Sequence, residues 1–359
     1  MSDETAENIV DARDAAEGAG LVYVAEQDVG ITRRKSGKGW SFRDPDGKRI
    51  TDRAVIERIT KIGIPPAYTD VWICPDERGH IQATGRDAKG RKQYRYHIRF
   101  REVRDSTRYE HMLTFAGALP DIRERIDADM RRRGLPREKV LATVVRLLET
   151  TMIRVGNADY VKQNKSYGLT TLNDRHVKVE GGELRFRFKG KSGKQWNLTL
   201  ADRRVAKIVK QSQDLPGQHL FQYIDEAGEQ CEVTSSDVNT YLREISGSDI
   251  TAKDFRTWTG TVLAALALAE FEKFDSEAAA KKNVRAAIEQ VSTRLGNTPA
   301  VCRRCYVHPE VIDSYMSDAL VLEIEQEVER ELRNVAGLRP EEALVLAFLQ
   351  RRLQDKLAA

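Results

Sequence analysis

The 359-residue chain has only four cysteines, Cys74, Cys231, Cys302 and Cys305. That is too few for a disulfide framework at this length and suits a reducing compartment. Cys302 and Cys305 form a CxxC, yet no second Cys or His pair lies nearby to complete a zinc tetrahedron. No stretch approaches the roughly 18 consecutive apolar residues that a membrane helix needs. The segment Met1 to Gly18 is acidic and lacks the basic flank and apolar run of a signal peptide. There is no GxxxxGK[ST] phosphate loop, no evident carboxylate cluster for a divalent metal, no internal repeat and no low-complexity linker. These absences lead us to expect a cytoplasmic protein with no metal, no cofactor and no membrane partner.

What is present is an ordinary hydrophobic fraction of 40% in a chain longer than the roughly 250–300 residues at which single cores stop growing, so two domains are expected. The net charge of +4 is small, but its distribution is uneven. Between Arg86 and Arg108 basic residues outnumber Asp87, Glu102 and Asp105, with Tyr94 and Tyr96 interleaved. Acidic residues crowd the first 28 positions and the run Glu323 to Glu331.

The hydrophobic pattern predicts an α+β protein. Residues 1–20 read as an acidic, disordered N-terminus and residues 21–104 as a small β-rich domain. In that domain, runs at Val71–Cys74 and Ile81–Thr84 flank a hairpin turn, and a helix runs from Asp52 to about Ile62. Residues 105–359 read as a mainly α domain with an inserted small sheet. Helical periodicity predicts segments at 109–118, 120–133 and 137–153, then strands at Leu169–Leu172, His176–Val179, Leu184–Phe188 and Trp196–Leu200. Further helices are expected at 201–212, 235–245, 251–273 and 276–295, with a long amphipathic stretch from about residue 309.

Four segments carry candidate chemistry, and each has a plain alternative. Arg154 follows a long apolar helix, where a cation at the C-terminus is favourable on dipole grounds alone. Lys191 sits in the turn Lys189 to Lys194, where solvation accounts for a lysine. Arg256 lies one helical turn after Lys253 and beside Asp254, an available surface ion pair. Tyr306 follows a helix break at Gly296 and a restart after Pro299 with Thr298 as N-cap, where a lone tyrosine is ordinarily core packing. Taken together, they make the set that cleavage of a phosphodiester by tyrosine requires: a nucleophile, cations for the charge growing on the phosphoryl oxygens, and an acid for the leaving oxygen.

From about Gly37 to about Ser317 the chain resembles the bacterial and poxvirus type IB DNA topoisomerases. The resemblance rests on Gly85-Arg86-Asp87-Ala88-Lys89-Gly90-Arg91-Lys92-Gln93-Tyr94, Ile153-Arg154-Val155-Gly156, Gly168-Leu169-Thr170-Thr171-Leu172, Phe188-Lys189-Gly190-Lys191, Lys253-Asp254-Phe255-Arg256-Thr257, and Gly296-Asn297-Thr298-Pro299 with Tyr306 nine residues after Asn297. It implies the catalytic fold shared with tyrosine recombinases and an ATP-independent relaxation of supercoiled DNA through a 3′-phosphotyrosine. It further implies Tyr306 as nucleophile, Arg154 and Arg256 clamping the scissile phosphate, Lys191 protonating the 5′-oxygen, and Lys253 assisting. Asn297 stands where the viral members carry histidine, so a hydrogen bond to phosphate survives while a protonic role is lost. Arg86, Lys89, Arg91, Lys92, Gln93, Tyr94 and Tyr96 would meet double-stranded DNA, the last three of these at the major groove, with the protein a monomer in the nucleoid region. The rival is a tyrosine site-specific recombinase, which usually has His-x-x-Arg where this chain has Lys253-x-x-Arg256.

Overall fold

A computed structural model describes residue 13 and residues 16–25, 28–37, 39–88, 90–271, 274–320 and 337–358 of the chain. The acidic first dozen positions, Lys89 and the acidic run at 323–331 fall outside the described residues. The chain divides into two compact units, Met1–Glu110 and His111–Ala359.

The first unit is built on an antiparallel sheet ordered β2-β1-β3-β4-β5, comprising β1 (Ile31–Ser36), β2 (Gly39–Arg43), β3 (Thr69–Ile73), β4 (Ile81–Arg86) and β5 (Lys92–Tyr96). Helix α1 (Arg53–Lys61) starts at Asp52, whose carboxylate accepts from Ala54 N at 2.8 Å. Its apolar face, Val55, Ile56 and Ile59, packs with Ile31, Phe42, Ile73 and Ala83 of the sheet. Disorder was expected up to residue 20, but packing starts earlier. Ala16 is fully buried against Leu21 and Phe100, because a small apolar side chain there closes the end of the aromatic cluster around Tyr96.

A single helix, α2 (Ile98–Asp129), replaces the two helices expected at 109–118 and 120–133 and runs through Pro120. Proline removes one backbone donor, yet Phe115, Ala116, Leu119, Ile122 and Ile126 are all at most 1% exposed on both sides of it. Burial of that face outweighs the local loss. The boundary between the units lies at Glu110/His111, inside this helix, six residues after the expected 104/105.

In the second unit α3 (Arg137–Thr151) is buried along almost its whole length. After α4 (Ala158–Asn164) the run Leu169–Thr171, expected as a strand, forms a 3₁₀ turn instead. Its amides are taken by Arg154 O and Val155 O at 2.9 and 2.7 Å, so the segment is stapled to the Arg154 loop and not to a sheet. The inserted sheet is β6 (Val177–Glu180), β7 (Glu183–Lys189) and β8 (Gln195–Ala201), antiparallel in that order. Then come α5 (Arg203–Gln213), the two short strands β9 (Gln222–Ile224) and β10 (Gln230–Glu232), α6 (Ser235–Ser246), α7 (Ala252–Ala269) and α8 (Glu277–Leu295). The chain continues through α9 (Pro299–Cys305), α10 (Pro309–Met316) and α11 (Pro340–Ala358). Of the long amphipathic stretch expected from 309, residues 321–336 lie outside the described residues.

Helix α7 is buried on nearly every side, from Phe255 and Trp258 to Ala265 and Leu268, as expected for a helix apolar all round at the centre of a domain. No described helix is long and apolar enough to cross a membrane.

Helix α11 is anchored by charge as well as by apolar contact. Arg123 of α2 bridges Glu149 of α3 and Glu342 of α11, each at 2.7 Å, with the two carboxylates 5% and 8% exposed. Burial pushes the Glu342 carboxyl up, but Arg123 and the Arg339 amide outweigh it and hold it below its ordinary 4.5. Removing one partner of a buried set strands the others. Arg123→Ala is therefore expected to lower unfolding stability in urea by about 3–5 kcal/mol, and a loss under about 1 kcal/mol would show that α11 docks through its apolar face alone. Since the folded carboxyl titrates below the unfolded one, its contribution is complete above about pH 4.5 and is lost as pH falls below that value. The advantage of the wild type over Glu342→Gln should shrink in the same window.

Candidate active site

Helix α3 ends at Thr151, and Met152 caps it with a left-handed backbone, φ 59°. This turns the chain out of the helix so that Arg154 is half-buried on a loop and not a solvated C-terminal cation. Its guanidinium donates to Asn297 Oδ1. Asn297 itself follows the C-cap of α8, Gly296, at φ 64°, a conformation that favours glycine.

Arg256 departs most from its plain alternative. It is 3% exposed and makes no pair with Asp254. Its guanidinium donates to Met152 O and, at 2.6 Å, to Leu295 O. The C-terminal ends of α3 and α8 thus meet on one side chain of α7. Asp254 is engaged elsewhere, accepting from Thr251 N and Oγ1 at 2.8 and 2.9 Å and facing His111 Nε2 at 3.3 Å. Burial raises its carboxyl, and these partners more than reverse the shift.

Tyr306 closes α9, with its amide on Cys302 O at 2.9 Å. Its ring lies against Arg256, whose Cζ is 5.2 Å from the ring centroid. Burial, and next the Arg154 charge, press the Arg256 guanidinium below its ordinary 12.5, while Tyr306 pulls the other way. Among the described residues neither Arg154 nor Arg256 has a carboxylate partner. Two donors in this cluster, Arg256 Nε and Asn297 Nδ2, are buried without a hydrogen-bond partner, as is Trp258 Nε1 two residues along α7. Buried donors are rarely left so. Converging cations with orphaned donors suit an anion bearing several acceptor oxygens.

The lysines stand differently. Lys191 opens the exposed 3₁₀ turn Lys191–Gly193 at the tip of the β7–β8 hairpin. Lys253 is exposed on the first turn of α7, not gathered into the buried cluster with Arg256. Lys194, which the sequence reading passed over, feels the arginines: burial and then Arg154 and Arg256 lower its pKa. Its signal was a third lysine in the turn Lys189 to Lys194. Gly260 and Thr261 were also missed. Thr261 Oγ1 donates to Thr257 O at 2.9 Å, lies 3.4 Å from Tyr306 O and accepts from His308 N at 3.1 Å, and a spacing pattern cannot reveal such backbone contacts. Of the CxxC, Cys302 is buried, which pushes its thiol up to about 11, so at neutral pH it stays protonated and a poor ligand or nucleophile.

In the first unit, the expected DNA-facing residues other than Lys89 share β4, β5 and the residues between them. Asp87 accepts from Arg91 Nε at 2.9 Å and from Gln93 Nε2 at 3.1 Å. Arg86 reaches Gly90 O at 2.9 Å and Asp70 at 3.5 Å. Tyr94, 40% exposed, stacks on Tyr96 at 5.8 Å, with Lys92 Nζ 5.9 Å from its ring. Alternation along β5 places Gln93 on the opposite face from the two tyrosines.

Two family models and several relatives match the chain. Residues 97–333 match the family model described as eukaryotic DNA topoisomerase I, catalytic core. Residues 39–87 match that for the bacterial DNA topoisomerase IB N-terminal domain. DNA topoisomerase 1B of Acanthamoeba polyphaga mimivirus is 33% identical over 296 residues, covering 80% of this chain and 88% of the viral one. The vaccinia virus (strain Copenhagen) enzyme of that name is 23% identical over 75% of this chain and 87% of its own. The DNA topoisomerase 1 of rabbit fibroma virus is 24% identical over 78% and 90%. The chain belongs to the type IB DNA topoisomerases, a family of isomerases acting on DNA.

Gly260 tests the placement of Tyr306. A methyl group there would lie 2.5 Å from Tyr306 O and 3.1 Å from its Cβ, so the tyrosine backbone must shift. Gly260→Ala is expected to slow plasmid relaxation about 100-fold, as a misplacement near 1 Å does, although alanine ordinarily favours a helix by roughly 1 kcal/mol over glycine. Relaxation at the wild-type rate would mean that Tyr306 need not hold this position.

Proposed function

We propose that this protein relaxes supercoiled duplex DNA by cutting and resealing one strand through a covalent bond between Tyr306 and a 3′-phosphate. The observation that carries the reading is the pair of buried, unpartnered donors, Arg256 Nε and Asn297 Nδ2, the first on the guanidinium that lies against the Tyr306 ring and the second on the side chain that accepts from Arg154. A phosphodiester supplies the acceptor oxygens these groups lack.

In this mechanism the Tyr306 oxygen bonds to phosphorus as the bond to the 5′-oxygen breaks. The phenol proton passes to water, and Lys191 gives a proton to the departing 5′-oxygen. Arg154, Arg256 and Asn297 carry the charge that grows on the non-bridging oxygens, where one preorganised donor is typically worth about 10²–10³ in rate. Lys253 assists the proton transfer from the solvent edge of the site. Resealing runs the same steps backwards, so the phosphotyrosine conserves the bond and no ATP or metal is required. Arg86, Arg91, Lys92, Gln93, Tyr94 and Tyr96 bind the duplex, and the enzyme works as a monomer. Lys89, expected beside them, lies outside the described residues.

Purified protein incubated with negatively supercoiled plasmid in EDTA, without ATP, should give a ladder of topoisomers, and a detergent quench should trap protein on the 3′ end of the nick. Tyr306→Phe should bind the plasmid but neither relax nor trap it. Equal relaxation by the variant would remove Tyr306 as nucleophile. Joined recombinant products from two marked duplexes would favour strand exchange instead.

A further inference from the structure

The β7–β8 hairpin that carries Lys191 is fastened to the segment bearing Asn297, and the fastener is a residue with no assigned part. Lys194 Nζ donates to Thr293 O at 3.2 Å, a carbonyl in the last turn of α8, where a cation is favoured by the helix dipole. The same ammonium lies 5.6 Å from the Trp196 ring. Trp196 is wedged between two glycines. A methyl group at Gly190, at the hairpin tip, would lie 2.6 Å from its Nε1, and one at Gly296, the residue before Asn297, would lie 2.9 Å from its Cζ2 and 3.3 Å from Lys194 Nζ. The tip is closed on itself by Gly190 N to Lys194 O at 2.7 Å. A shift of Lys194 relative to α8 therefore moves the turn holding Lys191.

The like charges nearby argue that this seat is specific. Burial, and after it the charges of Arg154 and Arg256, lower the pKa of Lys194, and its ammonium nonetheless holds Thr293 O and faces the Trp196 ring. A group held in such a place has a positional reason to be there.

We infer that Lys194 is a positioning residue, which seats the β7–β8 hairpin on the α8–α9 junction so that Lys191 meets the 5′-oxygen of the cut strand. The inference rests on the proposed role of Lys191. The residue acts on leaving-group protonation alone and leaves attack by Tyr306 untouched.

Its test uses duplex oligonucleotides cut once, with either oxygen or sulfur at the 5′ bridging position. A thiol, with a reference pKa of about 8.5, leaves without a proton, whereas an alkoxide does not. With the oxygen substrate, Lys194→Ala should slow single-turnover cleavage by about tenfold or more, within the roughly 10²–10⁴ that general acid catalysis supplies. With the sulfur substrate it should stay within about threefold of wild type, as should Lys191→Ala. Lys194→Arg, which keeps a cation of similar reach, should recover most of the loss. The double variant Lys191→Ala/Lys194→Ala should be no slower than Lys191→Ala, because both changes disable one step.

Equal slowing on both substrates would overturn the inference in favour of a direct phosphate contact or general distortion, and no slowing on oxygen would overturn it outright. If Lys191→Ala is not rescued by sulfur, the acid is another group and the positioning role falls with it. Failure of the wild type to cleave either substrate would instead defeat the phosphotyrosine reading itself.

Discussion

The second unit is organised round a buried cation, Arg256, that has no carboxylate partner among the described residues. Arg256, 3% exposed, is held by the carbonyl oxygens of Met152 and Leu295, the exits of the two helices that lead to Arg154 and Asn297. A buried guanidinium is tolerable only when its donors are satisfied. Here most of the satisfaction comes from helix-terminal carbonyls, which themselves need partners. The same contacts that make the charge bearable bring three distant segments together, and they leave Nε unpartnered.

Around that core, each element is used for what its backbone offers. Helix α7 presents Arg256 to the site, and Gly260 and Thr261 one turn later let the Tyr306 backbone approach and then hold it. The left-handed caps at Met152 and Gly296 stop α3 and α8 abruptly, so Arg154 and Asn297 follow within two positions. The β7–β8 hairpin ends in an exposed turn, and Lys194 ties it to the last turn of α8. Remote charge pairs such as Arg123 with Glu149 and Glu342 steady α3 from its far side.

Some of this was legible in the chain. The helix start at Asp52, the break at Gly296 and the Thr298 cap depend on local chemistry and are found where the residues imply. The alternation of Glu183 to Lys189 is likewise seen as one buried and one exposed face. Pro120 misled because a proline's local penalty was weighed without the apolar face that spans it. The segment Leu169–Thr171 misled because its β-like residues pair with a loop and not with a strand. The plain alternative for Arg256, a surface ion pair, could not be discarded locally because nothing in its sequence neighbourhood tells of two carbonyls 39 and 104 positions away.

The sequence by itself determined which residue types were available, their order, and where the backbone would turn, since caps, periodicity and resemblance are properties of short segments. Tertiary structure alone decided that Asn297 bonds Arg154 across 143 positions, that Lys194 and not only Lys191 enters the arginines' field, and that Lys253 stays in solvent. Such facts arise where separate helix ends and one hairpin converge, and distance in space carries no trace in spacing along the chain.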